Sequence, residues 1–197
     1  MNMTPQQRLQ QKAQSWVGSR YFLLLDTETT GLSENDEIVE ICIIDSRGLI
    51  MLNTLIKPTK PIPEEATAIH GITNEMVAHA PTWRDVHGVL VALYELHEFV
   101  IYNADFDTRM MNQTACLYGL GGGGFSQLLG EYSECAMLAY AEFYGHKDER
   151  RGGYKWQKLT NAAEQQGVII QGSAHRALSD CLTTLGVIKA MAAGGAK

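Results

Sequence analysis

The spacing of hydrophobic positions changes several times along the chain, and each change marks an element. Tyr21–Leu25 (YFLLL) is a continuous apolar run, short and bounded by polar sequence, the pattern of a strand buried on both faces. Residues 37–45 (EIVEICIID) and 49–56 (LIMLNTLI) predict two more strands around a Ser46-Arg47-Gly48 turn, hence an antiparallel meander. Pro58, Pro61 and Pro63 then forbid regular structure. A short helix is expected over 64–68, stopped near Gly71, and another starts at Thr73-Asn74-Glu75. Thr82 can cap a longer helix that buries Val86, Val89, Leu90 and Leu93. Beyond it the pattern predicts a strand over 99–102, a helix over 104–118 closed by Gly119, and a flexible loop at Gly121–Gly124. Helices follow over 134–143 and 157–166, then a short strand over 168–170. A last helix over 177–192 has Ala177, Cys181, Leu185 and Ile188 spaced for burial. Residues 1–20 read as a polar arm or peripheral helix opened by Pro5, and 193–197 as a tail. What remains, 21–192, is one α/β domain: antiparallel strands first, strand–helix alternation after, a mixed sheet flanked by helices.

The 197 residues suit about one domain, and 45% hydrophobic with 19% charged residues is ordinary for a globular protein. The four cysteines, Cys42, Cys116, Cys135 and Cys181, form no C-x-x-C pair and no zinc-ligand spacing; they are expected to be small core residues in a reducing compartment. No apolar run approaches the ~20 residues of a membrane span, and the start lacks the charged-then-apolar pattern of a signal peptide. A cytoplasmic location with no membrane contact is the expectation. A net charge of −6 argues against holding nucleic acid by charge alone, but not against an enzyme that brings its own cations. One local exception is Lys147–Lys158 (KDERRGGYKWQK), basic and interleaved with Tyr154 and Trp156, read first as a solvated loop and second as a composition suited to phosphates and stacked bases.

Candidate chemistry begins where the first strand ends. Asp26 and Glu28 are separated by one residue, and strand side chains at i and i+2 share a face. Two adjacent carboxylates raise each other's proton affinity unless a cation sits between them, and hard divalent ions prefer such oxygen ligands. Taken alone the pair also fits a capped turn. Further along, Val100–Asp107 (VIYNADFD) offers Asp105 and Asp107, about 200° apart on a helix, so only one can face the first pair. His175 and Asp180 (HRALSD) do not share a helical face. They converge only if Asp180 lies in the first turns of the last helix and His175 in the loop before it.

Together LLLDTETTG, YNADFD and HRALSD, in that order, resemble the three motifs of the DEDDh (DnaQ-like) 3′–5′ exonuclease family. The stretch Ile69-His70-Gly71-Ile72-Thr73 is similar to a segment common there, and the resemblance spans roughly 21–192. It implies a ribonuclease H-like fold and a hydrolase that removes nucleoside 5′-monophosphates from a 3′ end. The metal ligands it implies are Asp26, Glu28, Asp107 and Asp180, holding two Mg²⁺ or Mn²⁺ ions, with His175 as general base. Thr29 matches a position that helps seat the 3′-terminal nucleotide, and His70 one that often lines the substrate pocket. Tyr102 stands where the family often has histidine, and Asp105 adds a charge to the second motif. The implied partner is nucleic acid with a free 3′ end, single-stranded DNA favoured, with a polymerase or repair protein as a further possible partner. Rival readings are an RNA-trimming enzyme of the same family, a phosphotransferase with an aspartyl nucleophile, and a non-catalytic nucleic-acid or polymerase-binding module on this fold.

Overall fold

The computed structural model describes residues 3–150 and 152–195; Arg151 of the basic stretch and the last two residues of the tail lie outside the described residues. Five strands form one sheet in the order β3-β2-β1-β4-β5. They are β1 (Phe22–Thr29), β2 (Ile38–Asp45), β3 (Ile50–Leu55), β4 (Glu98–Ile101) and β5 (Ser133–Cys135). The first three pair antiparallel, as the meander requires, while β4 runs parallel to β1 and β5 parallel to β4. The crossover from β1 to β4 carries the helices that parallel pairing demands.

Strand alternation sorts the core into two layers. Leu24, Cys42, Ile44 and Val100 face one side, where α1 (Pro5–Gly18), α7 (Ala136–Tyr144), α8 (Leu159–Gln165) and α9 (Ala177–Ala192) cover them. Leu23, Leu25, Ile41, Ile43, Phe99 and Ile101 face the other, under α4 (Trp83–Leu96), α5 (Ala104–Leu117) and α6 (Gly123–Glu131). Because both faces are covered, β2 is buried along its whole length and is apolar apart from Glu40 and the closing Asp45. Its neighbour β3 is the exposed edge. The short α2 (Glu64–His70) and α3 (Asn74–Val77) pack on a small third cluster with Val39, Ile62 and Ile72.

The N-terminal helix is held by a capping box between Thr4 and Gln7 with Pro5 in its first turn. Its sparse apolar face, Leu9, Ala13 and Trp16, enters the main core against α9.

Several expectations were corrected. The buried stripe of α4 is Trp83, Val86, Leu90 and Tyr94, whereas Val89 is exposed and Leu93 only partly buried. Gly121–Gly124 is not simply a loop, because α6 begins inside it and buries Phe125 and Leu129 one turn apart. Gly121 is required there: an added Cβ would lie 2.4 Å from Cys116 Sγ and 2.7 Å from the Asn112 carbonyl oxygen. The helix expected from 134 starts at Ala136, since Ser133–Cys135 instead pair with β4. Nor is 168–170 a strand. The Val168 N–H bonds the Ala163 carbonyl at 2.8 Å, and its side chain nests where α9 has Gly186. Cys116 is exposed rather than core.

Candidate active site

The site lies where β4 stops short. Pairing between β1 and β4 ends at Leu25↔Ile101, so from Asp26 onward that edge of β1 is open. The chain leaves β4, turns, and enters α5 directly beside the gap. Asp107, in the first turn of α5, fills it: its Oδ1 accepts the Thr27 N–H at 3.1 Å and the Thr27 hydroxyl at 2.7 Å. The helix phase also separates the two candidate acids, with Asp107 buried and Asp105 exposed.

Asp26 and Glu28 lie within β1, which continues to Thr29 rather than ending before them. They point to the α9 side, where Asp180 waits in the first turn of that helix. Asp26, Glu28 and Asp180 each offer an oxygen, and these oxygens lie within 4.8 Å of one another. Asp107 stands beside this trio but outside it. The expected loop geometry holds: His175 precedes α9, exposed, and is the one non-glycine with a positive φ (60°) among the described residues.

The electrostatics follow from crowding acids out of water. Burial, then the charges of Asp107, Asp180 and Glu28, push the Asp26 carboxyl well above the usual range. Burial first and Asp180 second push Glu28 up to about 8. Burial also raises Asp107 against the opposing Thr27 hydrogen bonds, and raises Asp180 against the nearby His175. In every case burial is the larger cause, and for Asp26 and Glu28 the crowding of like charges adds to it. An all-oxygen, closely spaced, mutually repelling donor set is the chemistry a hard divalent cation satisfies, so the residues fit such an ion.

Two residues without an assigned role complete the surroundings. Glu40 on β2 stands directly opposite Glu28, an unfavourable pairing of like charges. It is only 4% exposed. Arg176 answers it with three guanidinium bonds of 2.7 to 3.2 Å, and the Ala177 N–H adds a fourth at 2.9 Å. The same guanidinium also pulls Glu28 back down. An acid in the midst of the apolar residues of β2 was the available signal for Glu40. Nothing local pointed to Thr27.

Thr29 and His70 line the same cavity, of about 580 Å³, as the acids and His175. Both are already engaged. The Thr29 hydroxyl donates to the Gly31 carbonyl at 2.8 Å. His70 Nδ1 accepts the Ile72 N–H at 3.0 Å, which leaves Nε2 as the donor toward the Thr29 carbonyl at 3.3 Å. Burial lowers its pKa and keeps the ring neutral. Gly71, in the left-handed region, closes α2 and places His70 there.

A carboxylate cluster at the open end of parallel strands, on a mixed sheet layered by helices, is the architecture of a metal-dependent hydrolase. The chain belongs to the exonuclease family, whose RNase_T model matches residues 23–188. It is 59% identical over 189 residues to an uncharacterized exonuclease of Escherichia phage 186, covering 95% of this chain and 96% of that one. It is 31% identical over 166 residues to exodeoxyribonuclease 10 of Escherichia coli strain K12, covering 84% and 66%. Among solved structures, exonuclease X in complex with 5′ overhanging duplex DNA matches with a TM-score of 0.62 and 27% identity, over 86% of this chain and 90% of that one. The fold is therefore the DnaQ-like, ribonuclease H-like one, and the enzyme a nuclease. Among the described residues no helix is long and apolar enough to cross a membrane.

Proposed function

We propose that this exonuclease shortens single-stranded DNA from its 3′ end, releasing nucleoside 5′-monophosphates. The observation that carries the reading is the trio Asp26, Glu28 and Asp180, with oxygens within 4.8 Å, facing a cavity that His175 also lines. Asp26, Glu28, Asp107 and Asp180 would hold two Mg²⁺ or Mn²⁺ ions, which supply charge stabilisation at the scissile phosphate and make water acidic enough to attack. The remaining work falls to the chain. His175, on its exposed loop, takes the proton of the attacking water and gives it up to solvent. Thr27 fixes the orientation of Asp107, and the Glu40–Arg176 pair fixes the start of α9 and so the neighbours Asp180 and His175. Thr29 and His70 form the wall against which the terminal nucleotide rests, with their polar atoms already spent on holding that wall rigid. The unit that does this is 21–192, with 1–20 as an added arm and 193–197 as a tail. The names of relatives, an exodeoxyribonuclease and a DNA-bound exonuclease, support DNA over RNA. A free end suffices, so the reading requires no polymerase partner.

The test is to incubate the protein and His175→Ala with Mg²⁺ or Mn²⁺ and matched 5′-labelled DNA and RNA single strands. A ladder of shortening from the 3′ end of DNA, lost in the variant and slower on RNA, is expected. Equal or faster RNA shortening assigns the enzyme to RNA trimming. Metal binding without shortening of either strand defeats the catalytic reading.

A further inference from the structure

Two concavities outside the catalytic cavity connect to it through shared residues. Asn103 and Phe106 line both the catalytic cavity and a groove of about 320 Å³ that also holds Arg109, Leu138 and Trp156. Trp156 in turn lines a third, open hollow in which Lys147, Arg150 and Lys155 stand with two acids, Asp148 and Glu149. The three form one continuous line leading away from the acids.

The far end is built, not loose. Residues 146–150 and 152–155 are tied together by an antiparallel Lys147↔Tyr154 bridge and by the Lys155 N–H on the His146 carbonyl at 2.7 Å. Their base is tied to the catalytic cavity: the Tyr102 hydroxyl donates to the Gln157 carbonyl at 2.8 Å. Gln157 is buried and is held again by Gln165 at 3.0 Å. Next to this fixed point Trp156 stands 59% exposed, its large ring open to the groove it lines. Lys147, Arg150 and Lys155 are exposed, and none makes an ion pair among the described residues. In a chain of net charge −6, residues 147–158 carry a local positive excess. Along the groove, the Arg109 guanidinium lies 5.4 Å from the Phe106 ring centroid, against one acid, Asp105.

Resting on the reading above, we infer that this line is the track for the strand being shortened, upstream of the scissile bond. Bases stack on Trp156, and phosphates meet Lys147, Arg150 and Lys155. Exposed aromatics with interleaved cations recognise single strands of any sequence, because every base has a π face and every nucleotide a phosphate. Continuity with the catalytic cavity makes the strand the occupant, and the charge complements it. Tyr102, the departure from the family's usual histidine, then acts as a positioning residue that couples the far end to the site.

The experiment compares the unmodified protein with Trp156→Ala and with Lys147→Glu/Lys155→Glu. Two readouts are taken: anisotropy of a labelled single strand, and the ratio of kcat/KM on a long oligonucleotide to that on the p-nitrophenyl ester of thymidine 5′-monophosphate. About a tenfold fall in affinity and in the ratio is expected for Trp156→Ala. For the lysine pair, the log–log salt dependence of binding should flatten by about 0.7 for each phosphate that is no longer neutralised. Unchanged affinity and ratio overturn the track. If the unmodified protein hydrolyses neither substrate, the exonuclease reading fails, while the anisotropy still decides the track.

Discussion

Thr27 and Asp107 are joined twice, by the backbone N–H at 3.1 Å and the hydroxyl at 2.7 Å of the same residue, across 80 positions of sequence. The bond replaces a rung of the sheet: where β4 would have accepted from Thr27, a carboxylate does. Helix and strand are thereby locked at the point where the acids must be mutually placed.

Thr27→Val keeps the shape and the strand preference while removing the hydroxyl bond. It is expected to lower stability by about 1–3 kcal/mol, the usual range for a buried bond to a carboxylate. The kcat should fall while KM changes little, because the residue orients an acid and does not touch the strand. Urea denaturation and steady-state kinetics together check this.

Arg176→Ala leaves Glu40 buried, facing Glu28, with only the Ala177 N–H. Removing one partner of a buried pair costs about 3–5 kcal/mol; the Arg176 side chain is 36% exposed, so the lower end or less is expected. Arg176→Lys should recover little, since one ammonium cannot reproduce the forked contact. Denaturation midpoints of the two variants would separate this from a general surface effect.

In metal-free protein, stability should fall as pH rises from about 6.5 to about 8, the folded value of Glu28. Burial and neighbouring charge raise Asp26, and burial followed by Asp180 raises Glu28 to about 8. The unfolded chain has already released these protons near pH 4. The folded state therefore binds more protons in this window, and stability is lost as pH passes through the folded values. His70 and His87, lowered by burial, act in the opposite sense but only below about pH 6.5. Asp85, lowered by the Thr82 hydroxyl and amide, is ionised in both states throughout. Each pH unit titrated by one carboxyl corresponds to about 1.4 kcal/mol. Thermal melts in EDTA should show the decline, and added Mg²⁺ or Mn²⁺ should remove it. A rise in stability across the window would count against the acid cluster as described.

Tyr102→Phe deletes the hydroxyl that holds the Gln157 carbonyl. A loss of about 1 kcal/mol is expected, with single-strand affinity reduced and Asp26, Glu28 and Asp180 undisturbed. Anisotropy alongside metal titration checks both halves.

Much of the site was legible because local periodicity decides it. Asp26 and Glu28 share a face by strand alternation, helix phase admits only one of Asp105 and Asp107 with the family resemblance pointing to Asp107, and His175 meets Asp180 only across a helix start. Those relationships need no knowledge of the rest of the chain. Thr27 and the Glu40–Arg176 pair were not legible, because their partners lie far away in sequence and their own residue types are common. The same holds for the elements: β5 is three residues without an apolar signal, made a strand by β4 alone. Residues 168–170 are a short β-branched apolar run like a strand, yet they pack on a helix surface instead of a sheet edge. Gly121–Gly124 hid a helix, since Phe125 and Leu129 outweigh the poor propensity of the glycines before them.

The early stop of β4 works as a ruler. Were that strand extended far enough to pair with Thr27, its backbone would occupy the place of the Asp107 carboxylate, and the sheet would be more complete but chemically blank. Sequence changes around Tyr102 and Asn103 that favour extended structure should therefore trade turnover for cohesion, even with every acid intact.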